Sequence, residues 1–328
     1  MRLYLAPMEG LTDFYMRDVL TQVGGYDACV TEFIRVTDRL LPERVFLQAC
    51  PELRTQGRTR VGTKVHLQLL GSEPAVLAEN AALAACLGAP EIDLNFGCPA
   101  KTVNRHRGGA VLLDEPETVH AIITAVRQAV PGHIPVTAKM RLGVSDRSRM
   151  LDNARAIESA GANGLVVHAR TKVDGYRPPA HWEAIAEIRQ AIRLPLMANG
   201  EIWSVDEAVR CQQISGCDDL MLGRGAVTNP ALARQIRGDD FYLDWPAMVS
   251  WQERFLDALQ QAGTREKAEQ LGNSWTERGA IGRYKQWLAM LTRAWPEADR
   301  LFVTVKKQNH FPELRAALTA SRHQGAVA

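Results

Sequence analysis

Three side chains in this 328-residue chain could do chemistry: the thiol of Cys98, the ammonium of Lys139 and the imidazole of His168. Cys98 follows Gly97, precedes Pro99 and leads into Lys101-Thr102-Val103-Asn104-Arg105-His106-Arg107-Gly108-Gly109, a polar, glycine-bearing stretch that reads as a loop. A thiol there can serve as a nucleophile or as a general acid. No histidine stands at a spacing that assigns it to Cys98 as an activating base, which favours the proton donor. Lys139 lies inside the apolar run Pro135 to Met140. Burying an ammonium is costly unless an anion or an electron-rich ring lies against it. One reading is an ion pair with Glu201 or Asp93. The other is a cation that stabilises a reduced, anionic cofactor ring, with Gln68 and His168 donating to ring carbonyls or to phosphate.

These residues need elements to hold them. Apolar runs rich in β-branched residues recur at Leu3–Ala6, Ala28–Glu32, Val65–Leu70, Glu91–Asn95, Pro135–Met140, Gly164–Ala169, Pro195–Asn199 and Asp219–Gly223, and they predict strands. Helical patterns lie between them. The stretch from Pro74 to Gly88 is one, with Pro in its first turn and Gly at its end. Alternating β and α segments over roughly 235 residues fit an α/β fold, a (β/α)8 TIM barrel. Periodicity alone leaves a doubly wound open sheet possible. In a barrel, reactive groups belong at the C-terminal ends of strands. The unusual polar residues collect there: Pro7-Met8-Glu9-Gly10, Gln68, Asp93 to Pro99, Lys139-Met140-Arg141, His168-Ala169-Arg170-Thr171, Asn199-Gly200-Glu201 and Gly223-Arg224-Gly225. Gly200 and Gly223-Arg224 fall after the seventh and eighth strands, where barrels commonly hold phosphate. A Gly-Arg-Gly turn by itself is more often a helix entry.

Near Asp244-Trp245-Pro246 the pattern changes to helices without strands: Trp251–Gln261, Arg265–Leu271, Gly279–Arg293, Pro296–Val305 and Pro312–Ser321. The expected division is a catalytic barrel over 1–243, a C-terminal all-α helical-bundle domain over 244–320 and a frayed tail over 321–328. The six cysteines include no CxxC pair and no histidine partner at metal-ligand spacing, so neither a structural zinc site nor a disulfide framework is expected. Apart from Cys98 they read as packing residues. A hydrophobic content of 46% and a net charge of +2 describe an ordinary globular protein, and that charge does not announce a nucleic-acid binder. The N-terminal apolar run is too short for a signal peptide and no stretch approaches a membrane span, so the expected location is cytoplasmic. No extended apolar helix face lacks a core role, and the expected state is a monomer.

Taken together, Ala6-Pro7-Met8-Glu9-Gly10, Gln68-Leu69-Leu70-Gly71, Asp93-Leu94-Asn95-Phe96-Gly97-Cys98-Pro99, Lys101-Thr102-Val103, Lys139-Met140-Arg141, His168-Ala169-Arg170-Thr171, Asn199-Gly200-Glu201 and Gly223-Arg224-Gly225 resemble the tRNA-dihydrouridine synthases. Arg283-Tyr284-Lys285-Gln286-Trp287-Leu288 and the position of the domain boundary are similar to the bacterial C subfamily. Phe96 departs from the pattern, standing where relatives have a small or polar residue. The resemblance implies FMN across the barrel mouth, NADPH as reductant and a uridine of the tRNA D-loop, position 16, as substrate. It implies that Pro7, Met8 and Glu9 line the flavin, that Gln68, Lys139 and His168 meet its ring and ribityl chain, and that Asn199, Gly200, Glu201, Gly223 and Arg224 surround its phosphate. Cys98 would donate the proton to C5 while hydride reaches C6.

Under that resemblance, the expected tRNA contacts are Arg35, Asn95, Lys101, Arg105, Arg107, Arg170, Arg278, Arg283, Lys285 and Arg293. The helical region carries 11 Lys+Arg against 8 Asp+Glu between Trp245 and Ala316. Rival readings are a barrel flavoenzyme acting on a free pyrimidine or enone, and a tRNA-binding protein with vestigial flavin chemistry. A metal-dependent hydrolase lacks His and carboxylate ligands at strand ends, and no metal is expected. Replacing Cys98 with Ala is expected to leave flavin bound while most turnover on tRNA is lost. Unchanged turnover, measured as dihydrouridine formed, would remove Cys98 from this role.

Overall fold

Runs of Leu, Val and Ile flanked by turn residues form parallel strands because both faces of each strand are covered, one by the barrel lumen and one by helices. The computed structural model describes residues 1–105, 107–262 and 276–323. The expectations for His106, for a helix over Arg265–Leu271 and for a frayed Gln324–Ala328 lie outside these residues. The strands are β1 (Leu3–Leu5), β2 (Ala28–Val30), β3 (Ile34–Arg35), β4 (Lys64–Leu70), β5 (Ile92–Phe96), β6 (Val136–Arg141), β7 (Gly164–His168), β8 (Leu196–Asn199) and β9 (Asp219–Leu222). Every pairing among them is parallel, β1 pairs with both β2 and β9, and a β2–β4 pairing closes the ring. The closed barrel therefore uses β1, β2 and β4 to β9, which correspond to the eight apolar runs, and the open sheet is excluded.

The two-residue β3 has no counterpart in the apolar pattern. It pairs with the upper end of β4, Ile34 opposite Leu69 and Arg35 opposite Leu70. Between β2 and β3 the chain leaves the ladder, and Thr31 Oγ1 accepts a hydrogen bond from Gln68 N at 3.0 Å. That detour turns Glu32 and Phe33 into the barrel mouth.

Side chains alternate along each strand, so a separate set points into the lumen. Ala6, Val30, Val166, Met197 and Met221 form a small apolar floor, distinct from the large core between strands and helices. On the mouth side the lumen is lined by Gln68, Asn95, Lys139 and Asn199, while Asp93 and Thr137 lie toward the other end with His66 and Glu91. The outer helices include α1 (Phe14–Val23), α2 (Glu43–Ala49), α3 (Pro74–Cys86), α4 (Lys101–Asn104), α5 (Pro116–Ala129), α6 (Met150–Ser159), α7 (Trp182–Ala191) and α8 (Val205–Ser215). Short helices α9 (Arg224–Thr228) and α10 (Leu232–Ile236) follow β9. Cys86 is exposed at the end of α3, whereas Cys29, Cys50, Cys211 and Cys217 are buried packing residues.

The helical region comprises α11 (Trp245–Ala262), α12 (Glu277–Leu291), α13 (Pro296–Val305) and α14 (Phe311–Ser321). Its apolar residues merge with the barrel's core in one cluster. Three bonds tie it to α9: Trp287 Nε1 donates to Val227 O, Trp295 Nε1 to Thr228 O and Thr228 Oγ1 to Met290 O. The expected tail begins too early, because Ser321 ends α14 and its carbonyl accepts from Trp245 Nε1, and Arg322 pairs with Glu253 at 2.6 Å. No helix among the described residues is long and apolar enough to cross a membrane.

The loop after β1 is fixed by a buried ion pair. Arg17 on α1 is fully buried, bonds Glu52 through two nitrogens at 2.9 Å each, and donates to Thr12 O at 3.0 Å. Thr12 in turn closes the turn over Pro7-Met8-Glu9, its Oγ1 accepting from Met8 N at 2.7 Å. Breaking a buried pair leaves an uncompensated charge, so Glu52→Gln is expected to cost about 3 kcal/mol. Chemical denaturation measures it, and a cost below about 1 kcal/mol contradicts the assigned role.

Candidate functional site

The C-terminal ends of the strands surround one concave mouth with about 890 Å³ of empty space open to solvent. Pro7, Met8, Glu9, Gln68, Asn95, Cys98, Lys139, His168, Asn199, Gly200, Glu201, Gly223 and Arg224 all line it. The motifs thus come together from every side of the barrel, as parallel strands of one ring require.

Three cations, Lys139, Arg141 and Arg224, line the mouth together with the carboxyl groups of Glu9, Glu32 and Glu201. Lys139 projects from β6, and its Nζ donates to Asn199 Oδ1 at 3.3 Å. Asn199 is turned that way because its Nδ2 donates to Met221 O at 2.8 Å. Among the described residues no carboxylate forms an ion pair with Lys139, so the pairing with Glu201 or Asp93 is not made. Burial, and then the neighbouring Arg141 charge, push the Lys139 pKa down to about 8. His168 is buried at the end of β7, and burial followed by the charges of Arg141 and Lys139 holds it well below its usual range. It is therefore neutral at pH 7. Its Nε2 lies 3.4 Å from Arg170 Nη1, which can only donate, so Nε2 is the acceptor and Nδ1 carries the hydrogen.

Glu201 sits among arginines, bonding Arg170, lying 3.7 Å from Arg224 and accepting from Trp203 Nε1 at 2.9 Å. Gly200 has φ +120, and a Cβ there would come within 2.9 Å of His168 Cδ2. Only glycine permits this close approach of the loop to the imidazole. Beyond it, rings and guanidinium groups alternate: Arg141 and Arg224 each lie 5.1 Å from the Tyr176 ring, and Arg224 and Arg293 lie 4.9 and 3.7 Å from the Trp203 ring. This ladder runs from the mouth to the end of α12.

Cys98 is half-buried in the lining of the same mouth, and burial raises its thiol pKa, so it keeps its proton at neutral pH. Its backbone is clamped. Asn95 Oδ1 accepts from both Gly97 N and Cys98 N at 2.9 Å, while Cys98 O accepts from Ala110 N and Asn104 Nδ2 at 3.0 Å. Gly109 adopts φ +69, and a Cβ there would meet Cys98 O at 2.8 Å. Arg141 draws the loop inward by donating to Gly97 O, and to Thr171 O and Gly175 O of the loop after β7, each at 2.8 Å. Phe96, the departure from the family pattern, is buried in the main core one residue before this loop.

Several expected RNA contacts are corrected by their surroundings. Arg170 is fully buried and spends its guanidinium on Glu201 and on Arg177 O. Arg283 is 5% exposed, pairs with Asp13 at 2.7 Å and donates to Leu11 O. It braces the loop after β1 against α12 and does not face solvent. Lys285 donates to Lys306 O and Gln308 O, capping the end of α13. Asn95 lines the mouth, with its oxygen spent on the cysteine loop. Lys101 and Arg105 are exposed, Arg107 is exposed but pairs with Glu115 at 2.7 Å, and Arg35, Arg105 and Arg107 line a groove beside the mouth. Arg278 is exposed in the first turn of α12, outside the mouth's lining.

Residues that the motif reading did not select also line the mouth: Glu32, Phe33, Tyr176 and Trp203; Arg141, named within its motif, was given no role. Burial, with Asp13 and Glu9 nearby, pushes Glu32 up to about 7. The available signal was an aromatic residue in a strand-end loop, beside Arg170 and Arg177 for Tyr176 and beside Glu201 for Trp203. No group of three or more His, Cys, Asp or Glu able to hold a metal occurs among the described residues.

The geometry suits an electron-rich ring bearing carbonyls, with an anionic tail toward Arg224 and the first turn of α9. The family model described as dihydrouridine synthase (Dus) matches residues 4–297. A protein of Aquipseudomonas alcaligenes named tRNA-dihydrouridine(16) synthase is 53% identical, covering 98% of this chain and 100% of its own. Proteins with the same name from Pseudomonas putida and Escherichia coli O157:H7 are 54% and 46% identical, covering 94% and 98% of each chain. Among solved structures, histamine dehydrogenase from Rhizobium sp. 4-9 is similar with a TM-score of 0.55 at 14% identity, over 72% of this chain and 45% of that one. Morphinone reductase in complex with tetrahydroNAD gives 0.50 at 11% identity, over 74% and 88%. These two likenesses concern the fold alone.

The Lys139 pKa yields a signed prediction. An unfolded lysine binds its proton up to about pH 10.4, the folded one only to about 8. Between those values the unfolded state binds more protons, so this group makes stability rise with pH, and its charge is a penalty below pH 8. Lys139→Met is therefore expected to stabilise the ligand-free protein at pH 7, with the gain fading between pH 8 and 10. Thermal unfolding across that range checks it, and a loss of stability at pH 7 contradicts it.

Proposed function

Because the chain belongs to the dihydrouridine synthase family, we propose that it reduces the C5–C6 double bond of uridine 16 in the tRNA D-loop, with FMN as hydride carrier and NADPH as reductant. The observation that carries this reading is a protonated thiol, Cys98, facing a mouth lined by Lys139, Arg141, Arg224 and a neutral His168. The relatives named tRNA-dihydrouridine(16) synthase span nearly the whole chain and support the position.

The residues present fit FMN. Lys139 and the Nδ1–H of His168 offer hydrogen-bond donors for ring carbonyls beside Gln68, whose own amide is held by Asp93 and Asn95, and Lys139 adds the positive charge that favours an electron-rich ring in a poorly solvated site. Asn199, Gly200, Glu201, Gly223 and Arg224 form the end suited to a phosphate, with the guanidinium of Arg224 and the first turn of α9 supplying donors. When bound, FMN supplies hydride to C6 of the uracil ring. Cys98 holds its proton at Sγ and delivers it to C5, where an acid of raised pKa releases it only to a strong base such as a developing enolate. Pro7, Met8 and Glu9, held by the Thr12 turn, wall the mouth on the β1 side.

The target base must leave its stack to enter this mouth. Residues 1–243 then act as the catalytic unit and 244–320 as an RNA-facing one. Lys101 and Arg105 on the cysteine loop, with Arg35 in the adjoining groove, provide charge for the phosphate backbone. Arg293, stacked on Trp203, extends that charge to the helical region.

Dihydrouridine mapping by mass spectrometry in tRNA incubated with the protein, FMN and NADPH tests the proposal. Product at position 16 alone is expected. Product at another D-loop position overturns the assigned site, and no product despite flavin reduction overturns the RNA substrate in favour of a free pyrimidine or enone.

A further inference from the structure

Below Cys98, three polar side chains inside the lumen join in a line whose hydrogen bonds all run one way. Asp93 on β5 is 3% exposed, and Gln68 on β4 is fully buried opposite it. Gln68 Nε2 donates to Asp93 Oδ2 at 2.7 Å, which leaves Gln68 Oε1 to accept from Asn95 Nδ2 at 2.7 Å. Asn95 Oδ1 then accepts from the Gly97 and Cys98 amides, each at 2.9 Å. An amide side chain can flip, but neither end of this line can reverse. The backbone N–H groups only donate, and Asp93 Oδ2 only accepts.

Thr137 fixes the lower end. Its Oγ1 lies 2.8 Å from Asp93 Oδ1 and 2.9 Å from Glu91 Oε1, and Glu91 also meets His66 Nδ1 at 2.9 Å. One hydroxyl proton serves two carboxyl oxygens, so the proton shared at that junction lies on the Oδ1 side and Oδ2 stays an acceptor toward Gln68.

We propose that Asp93 is a positioning residue for Cys98: its carboxylate sets the direction of the Gln68 and Asn95 amides, and that direction holds the Cys98 backbone in place. Sequence places Asn95 and Cys98 in one motif, but the control comes from a buried acid two residues before Asn95 that does not touch the cysteine. In Asp93→Asn, the amide at 93 can turn either its oxygen or its nitrogen toward Gln68, so the lower end no longer holds the line in one direction, and the reversed arrangement presents Asn95 Nδ2 to two N–H groups. In Asn95→Asp, Gln68 Nε2 is drawn to the new carboxylate, and Gln68 Oε1 is left facing the carboxylate of Asp93. Combining the two changes moves the acid from one end of the line to the other. The carboxylate at position 95 accepts from both backbone N–H groups and from Gln68, and the amide at position 93 donates to Gln68 while still accepting from Thr137.

Hydrogen exchange at the Cys98 amide, resolved by mass spectrometry on the full chain without flavin or RNA, reads this directly. Each single variant is expected to speed exchange roughly tenfold, the loss of about one net hydrogen bond. The double variant D93N/N95D is expected to return it to within about twofold of the native rate, with amides of α5 unchanged as a measure of global stability. Unaltered exchange in the single variants, or a double variant at least as fast as either, overturns the proposal. If the single variants do not fold, the double variant decides alone: folded and protected supports the polarity, unfolded overturns it. The importance of this placement for turnover rests on the proton-donor reading of Cys98. The exchange measurement does not, so the two fail separately.

Discussion

Crowding cations at the ends of neighbouring parallel strands is the constraint around which the molecule is arranged. Lys139, Arg141 and Arg224 line one mouth, Arg170 is buried beside it, and Glu201 pairs with Arg170 and Arg224. Each guanidinium is therefore compensated by something other than a full set of counter-charges. Arg141 donates to three backbone carbonyls, Arg170 to one carbonyl besides Glu201, and Arg224 stacks between two aromatic rings. Among the described residues, the hydrogen-bond partner of Lys139 is the amide oxygen of Asn199. Its lowered pKa and the neutrality of His168 are two results of the same crowding.

The compensating bonds also shape the site. Because Arg141 reaches Gly97 O on one side and the loop after β7 on the other, the group that contributes charge to the mouth also sets where the cysteine loop can lie. Arg17 and Arg283 do the same for the loop after β1, one from the barrel's own helix and one from the helical region. The helical region is thus part of the wall that holds Pro7, Met8 and Glu9, in addition to any contact it makes with RNA.

Much of this was legible in the sequence, and the reasons differ by element. The eight barrel strands were visible because each is an apolar, β-branched run bounded by turn residues and separated by helical pattern. The two-residue β3 carried no such run, since Thr31 and its hydrogen bond to Gln68 produce the break. The mouth-lining residues were visible because a polar group at the end of an apolar strand is costly to bury unless it faces a shared polar cavity. Basic residues were the hardest to place, because charge suggests solvent while the arginine fork can also satisfy buried carbonyls. Arg283 had a usable signal: it lies three residues after Ala280 and four before Trp287, on the apolar face of its helix. Arg170, two residues beyond His168 at the end of β7, had none. The direction of the Asp93–Gln68–Asn95 line could not be read either, since it depends on which strands neighbour each other in the closed ring.

Cys98, at the rim of the same mouth, delivers the proton in the proposed reaction while hydride arrives from the other side of the base. Dihydrouridine formed in D2O and analysed by NMR tests this most directly. One deuterium is predicted at C5, on a single face, whatever the label at C6, because hydrogen on a reduced flavin nitrogen exchanges with solvent. Deuterium distributed over both faces of C5 would contradict it.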